Sequence, residues 1–137
     1  MARILAIDYG KKRTGLAVTD ELQIIASGLT TVPTKDLLTF LNDYCKNEQV
    51  ETIVVGEPKR LHDEASDIEV DISRFLKKLD KVLPGIKVVR MDERFTSKMA
   101  FQSLIDSGLS KKKRQNKALL DEVSATIILQ SYMDSRP

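Results

Sequence analysis

The chain has one cysteine, one histidine and no tryptophan among its 137 residues, and aromatic side chains make up only 5%. The single thiol, Cys45, excludes an internal disulfide and suits a reducing, cytoplasmic setting. No Ser/His/Asp or Cys/His set for nucleophilic catalysis is apparent. No apolar run approaches the roughly 20 residues needed to span a bilayer. The opening Met-Ala-Arg-Ile-Leu-Ala-Ile-Asp carries an acid inside its apolar stretch and no small-residue cleavage site. It reads as a first strand and not as a signal peptide. Internal repeats, low-complexity tracts and linkers are also missing, so residues 1–137 are expected to form a single domain.

What is present fits a soluble globular protein: 42% hydrophobic and 31% charged residues. A chain of this size buries roughly two-thirds of its unfolded surface, enough for a real core. The net charge of +2 hides an uneven distribution. Lys111, Lys112, Lys113, Arg114 and Lys117 put +5 into seven residues, leaving the other 130 at −3. Residues 57–71 carry six acids against Lys59 and Arg60. The cationic run suits phosphate binding, with a solvated loop as the alternative.

Periodicity predicts the element order β-β-β-α-β-α-β-α-α. Arg3–Asp8 is apolar on both faces, as in a central strand. Residues 14–20 and 23–32 read as the rest of an antiparallel meander, with a tight turn at Asp20-Glu21. Residues 34–47 read as a helix with Thr34 as its N-cap. Val50–Gly56 reads as a buried strand, 66–83 as a helix, and Ile86–Asp92 as a strand. A helix capped by Thr96 reaches Ser107-Gly108, and a last helix spans 117–133. Strands 1, 4 and 5 would be parallel, and sites in such sheets lie at their shared carboxyl edge.

That edge collects acids: Asp8 after strand 1, Glu57 after strand 4, and Asp92 and Glu93 after strand 5. Crowded carboxylates need a counter-charge, and a hard divalent cation supplies one. Asp92 and Glu93 alternate, so only one of them faces a given side. In the last helix, Leu119, Leu120, Val123, Ile127 and Ile128 form the expected stripe. Asp121 borders that stripe, and Glu122 faces away. Asp121 reads either as a metal ligand or as a first-turn acid favoured by the helix dipole. Lys11, Lys12 and Arg13, in Asp8-Tyr9-Gly10-Lys11-Lys12-Arg13-Thr14-Gly15, suit phosphate contacts at a hairpin tip or simple solvation. Arg94 would neutralise a neighbouring acid or touch phosphate. His62 reads as a loop proton shuttle or an exposed spectator.

Four stretches in order resemble the YqgF (RuvX) family of the ribonuclease H-like superfamily. They are Asp8–Asp20, Ile53-Val54-Val55-Gly56-Glu57-Pro58, Asp92-Glu93-Arg94-Phe95-Thr96-Ser97, and Asp121–Leu129 behind the basic run. One departure is Asp63-Glu64, where the family usually has Asp-Gly. The resemblance implies an α/β fold with a five-stranded mixed sheet of order 3-2-1-4-5 and helices on both faces. It implies Asp8, Glu93 and Asp121 as catalytic acids holding two Mg2+ or Mn2+ ions, with Glu57 as the alternative that strand spacing favours. It also implies an endonuclease maturing the 5′ end of pre-16S ribosomal RNA, alone or on a pre-ribosomal particle. Resolution of branched DNA and a weakly catalytic RNA-binding assembly role are the alternatives. Lys11, Lys12, Arg13, Arg94 and the 111–117 cations would hold nucleic acid. The protein would be a monomer or homodimer. An actin-like ATPase would need two such domains, for which the chain is too short.

Overall fold

The computed structural model describes residues 2–57, 67–92 and 117–136. Among them, β1 (Arg3–Asp8), β2 (Arg13–Thr19) and β3 (Ala26–Pro33) form the meander. A single 3-10 turn (Thr34–Asp36) leads into α1 (Leu37–Asn47). Then come β4 (Val50–Glu57), α2 (Asp67–Val82), β5 (Lys87–Asp92) and α3 (Lys117–Ser135). The sheet order is β3-β2-β1-β4-β5, with β1, β4 and β5 parallel and the meander antiparallel, as the sequence predicts. The helix expected after Thr96 lies outside the described residues.

Strand alternation divides the core into two layers. Leu5, Ile7, Leu16, Val18, Ile53 and Val55 pack on Leu37 and Leu41 of α1 and on Ile72, Phe75 and Leu79 of α2. Ile4, Ala6, Ala17 and Val54 pack on Ala125, Ile128 and Leu129 of α3. β1 and β4 are central strands sandwiched on both faces, so their apolar runs are continuous. Truncating one of these buried large side chains to alanine costs about 2–5 kcal/mol.

Local chemistry corrects four readings. Thr34 is no helix cap: the 3-10 turn has no side-chain cap, and neither does α1, which starts behind Asp36. The Thr34 hydroxyl instead donates to the Gly10 carbonyl at 2.6 Å. The turn after β2 is longer than two residues. The Asp20 carboxylate accepts the Leu22, Ile24 and Ile25 amides at 3.2, 2.8 and 2.8 Å, and Gln23 takes a left-handed φ of 59°. β3 therefore starts at Ala26, not at 23. On α3 the fully buried positions are Ser124, Ala125, Ile128 and Leu129, and small residues dominate where the helix is closest to the sheet. Leu119, Val123 and Ile127 instead line a groove beside β3, together with Glu122, which is half-buried and does not face away.

Candidate active site

Asp8 ends β1 in phase with Ile4 and Ala6, and so lies on the α3 face. Its register partner on β2 is Gly15. Gly15 is where α3 docks. A Cβ built on it would lie 2.1 Å from the Asp121 carbonyl oxygen and 2.9 Å from the Asp121 Cβ. Real Cβ atoms do not approach that closely, so only glycine admits α3 here. Asp8 and Asp121 are thus set about one strand spacing apart, on one face, at the carboxyl end of β1. The start of α3 is fixed independently: the Thr31 hydroxyl donates to the Ala118 carbonyl at 2.6 Å.

The Asp121 carboxylate is not in the first turn of α3, which removes the helix-dipole reading. Its Oδ2 accepts a hydrogen bond from Arg13 Nε at 2.8 Å, and the pair is partly exposed. Such a pair contributes only about 0–1 kcal/mol to stability. Its significance is positional, since it shows that this carboxylate sits where a positive charge is accommodated. Arg13 therefore serves as an internal counter-charge in addition to being a candidate phosphate contact. Nothing in the sequence pairs positions 108 apart.

Glu57 pairs in register with Asp92, and both are in phase with Ile53 and Val55. They lie on the α1/α2 face, away from Asp8. Met91, by contrast, packs with the α3-face cluster. Lys11 and Lys12 are exposed at the hairpin tip. Glu93, Arg94, His62, Lys111, Lys112, Lys113 and Arg114 lie outside the described residues, and of Lys117 only the backbone is described, at the start of α3.

One supporting residue escaped the sequence reading. Arg90 on β5 makes a two-pronged ion pair with Glu69 of α2, at 2.8 and 3.1 Å. It also donates to the Val55 and Gly56 carbonyls at 3.3 and 3.1 Å. One guanidinium thus ties the carboxyl ends of β4 and β5 to α2. An arginine inside an apolar strand, facing an acidic helix, was the available signal.

Compared with known proteins, residues 2–135 match the family model for RuvX, described as Holliday junction resolvase. The chain belongs to the RuvX family. This RuvX chain is 65% identical over 133 residues to a protein of Christiangramia forsetii, covering 97% of the chain and 98% of that protein. It is 59% identical over 136 residues to one of Flavobacterium johnsoniae, covering 99% of each. Both are named "Putative pre-16S rRNA nuclease". Among solved structures it resembles Thermus thermophilus RuvC in complex with a Holliday junction substrate, with a TM-score of 0.61 and 16% identity. That match covers 99% of this chain and 96% of RuvC. The fold is accordingly ribonuclease H-like.

Oxygen-only donors such as Asp8 and Asp121 fit a hard divalent cation. Among the described residues no three of His, Cys, Asp and Glu converge on one point. Also among the described residues, no helix is long and apolar enough to cross a membrane.

Proposed function

We propose that this RuvX protein is a cytoplasmic, divalent-metal-dependent endonuclease that hydrolyses phosphodiester bonds and matures the 5′ end of pre-16S ribosomal RNA, residues 1–137 acting as one nuclease domain. The single observation that carries the reading is the docking of α3 on Gly15, which sets Asp121 beside Asp8 at the carboxyl edge of the sheet. The names of the relatives from Christiangramia forsetii and Flavobacterium johnsoniae favour the ribosomal substrate.

Asp8 and Asp121 would hold Mg2+ or Mn2+ together with Glu93. Glu93 follows directly in sequence on Asp92, where β5 ends. Two such ions would activate a water and stabilise the leaving oxygen. The residues of the chain do the positioning. Gly15 admits α3, Arg90 fixes the ends of β4 and β5, and Arg13 balances the Asp121 charge and offers guanidinium donors to a phosphate at the same edge. Lys11, Lys12, Arg94 and the 111–117 cations would hold the nucleic-acid backbone, mainly through charge.

The test incubates the protein, with Mg2+ or Mn2+, with a 16S precursor transcript and a four-way DNA junction side by side. The transcript should be shortened at its 5′ end, and Asp8→Asn should abolish this with an unchanged Tm. Equal cleavage by Asp8→Asn would remove the site. Cutting of the junction but not of the transcript would make the protein a resolvase, the second reading, which the family description favours.

A further inference from the structure

Opposite the Asp8 face, a cleft of about 430 Å³ opens between the β1–β2 hairpin tip, the 3-10 turn and α2. Its wall includes Tyr9, Lys11, Thr34, Lys35, Arg74 and Lys78, over a floor of Leu38 and Phe75. Thr34 builds this wall. Its amide donates to the Lys12 carbonyl at 3.0 Å, its hydroxyl donates to the Gly10 carbonyl, and the same hydroxyl lies 2.8 Å from that of Thr14. These bonds fix the hairpin tip, and Lys11 with it, against the segment that carries Lys35. On α2, Arg74 and Lys78 flank Phe75 on one helical face. The Phe75 ring packs on Tyr9 with centroids 5.5 Å apart.

Four cations line the cleft against one carboxylate, Asp71. Among the described residues none of the four has an ion pair within 4.0 Å, whereas Arg3, Arg13 and Arg90 are all paired. Like charges gathered around one cleft repel unless an anion sits among them. The location indicates which anion. Asp8 ends β1 in phase with the α3 face, whereas the next residue, Tyr9, packs against the α1/α2 core, and Tyr9 and Lys11 both line the cleft. A strand with a phosphate at Asp8 needs only to round the sheet edge to enter the cleft.

We propose that this cleft is a phosphodiester-binding subsite that grips the single-stranded RNA running away from the Asp8–Asp121 edge. The proposal rests on the nuclease reading above and adds to it a second contact surface, on the other face of the sheet. Lys35, Arg74 and Lys78 would bind backbone phosphates, with Lys11 bridging the two faces.

The test measures anisotropy of a labelled single-stranded RNA of about 12 nucleotides. EDTA is present so that nothing is cleaved, and salt is varied from about 50 to 200 mM. The triple variant Lys35→Gln, Arg74→Gln, Lys78→Gln should bind at least tenfold more weakly at the lowest salt. Its salt slope should flatten by about 2, at about 0.7 per lost contact to a single strand. Charge-preserving Lys35→Arg, Arg74→Lys, Lys78→Arg should restore most of the binding. Neutralising Lys46, Lys77 and Lys81, exposed lysines outside the cleft, should cost far less. Equal losses in both neutralised triples would overturn the subsite and leave only net charge. So would adenosine monophosphate binding as tightly as the RNA and being lost in the same variant. RNA binding through the cleft by a protein that cleaves neither substrate would sink the nuclease reading alone. Cleavage with unchanged binding in the cleft triple would sink the subsite alone.

Discussion

On the α3 face of the sheet the inward positions are Ile4, Ala6, Ala17 and Val54, and Gly15 has no side chain at all. On the α1/α2 face they are Leu5, Ile7, Leu16, Val18, Ile53 and Val55. The same strands supply both sets, one residue out of step. Small residues let a helix backbone touch the sheet, so an acid on that helix reaches the strand ends. Large residues hold α1 and α2 farther off and supply more of the buried apolar volume. The two faces thus divide the work: the thin layer places carboxylates and the thick layer provides stability. The rims differ accordingly, with acids beside Gly15 and cations around Phe75.

The sharpest way to break this division is to substitute the two candidate third acids separately. Glu93→Gln should lower cleavage of the precursor by at least about 100-fold, because a metal ligand is lost. Glu57→Gln should keep much of the parent rate, since Glu57 is in phase with the thick layer. The reverse order in single-turnover assays would move the metal site to β4 and undo the assignment of faces.

Next in size is Gly15→Ala. The new methyl would overlap the Asp121 carbonyl, so α3 must shift. Overpacking of this kind costs about 1–3 kcal/mol, a fall in Tm of roughly 3–10 °C. Cleavage well below the Tm should fall by far more than the stability loss explains, because the shift separates Asp121 from Asp8. Ile53→Val on the other face should cost about 0.5–1.5 kcal/mol and leave cleavage unchanged. If both variants lost stability and activity in proportion, neither face would be specialised.

A smaller effect is expected from Thr34→Val, at the hairpin that joins the faces. It removes the hydroxyl bonds to Gly10 and Thr14 but keeps the amide bond to Lys12. The cost should be about 1 kcal/mol, read from thermal melts. Cleavage and RNA affinity should both decline modestly, since Asp8 and Lys11 flank the same tip. A decline in only one of them would show that the tip serves one face.

The two-sided burial of β1 was legible because a central strand is apolar at every position, whereas the sheet order was legible only through the family resemblance. Asp8 was legible from its place at a strand end. Asp121 was only half legible. Of the expected stripe Leu119, Leu120, Val123, Ile127 and Ile128, only Ile128 is fully buried, beside Ser124, Ala125 and Leu129, and it is the Asp121 backbone that meets Gly15. Hydrophobic periodicity is blind to a helix chosen for close approach. Strand spacing alone favoured Glu57, and only the phase of β4 against β1 reveals which face it takes. Arg13 read as a phosphate contact or a solvated charge, and Arg90 went unread, because their partners are distant in sequence. Thr34 looked like a cap because a threonine before a helix usually is one, and here the hairpin competes for its hydroxyl.

The smallest expected effect lies at the far end of β2, which neither face uses for chemistry. There the amides of Ile25, Ile24 and Leu22 donate to the Asp20 carboxylate and hold its pKa below the usual 3.8. A carboxyl with a depressed folded pKa stabilises the protein above its unfolded pKa and loses that contribution as pH falls through the folded value. Asp20→Asn cannot offer the charge, and its nitrogen cannot accept the Leu22 amide. The parent should therefore melt above the variant at pH 7, and the gap should close as pH falls from about 5 toward 3. RNA affinity and cleavage at neutral pH should match the parent, because Asp20 and Gly15 lie toward opposite ends of β2. A gap that stayed constant across that window would mean the turn depends on the shape of the side chain and not on its charge. A loss of cleavage would mean that the β2–β3 turn feeds the carboxylate edge, and the far end of the sheet would then have to be counted with the α3 face.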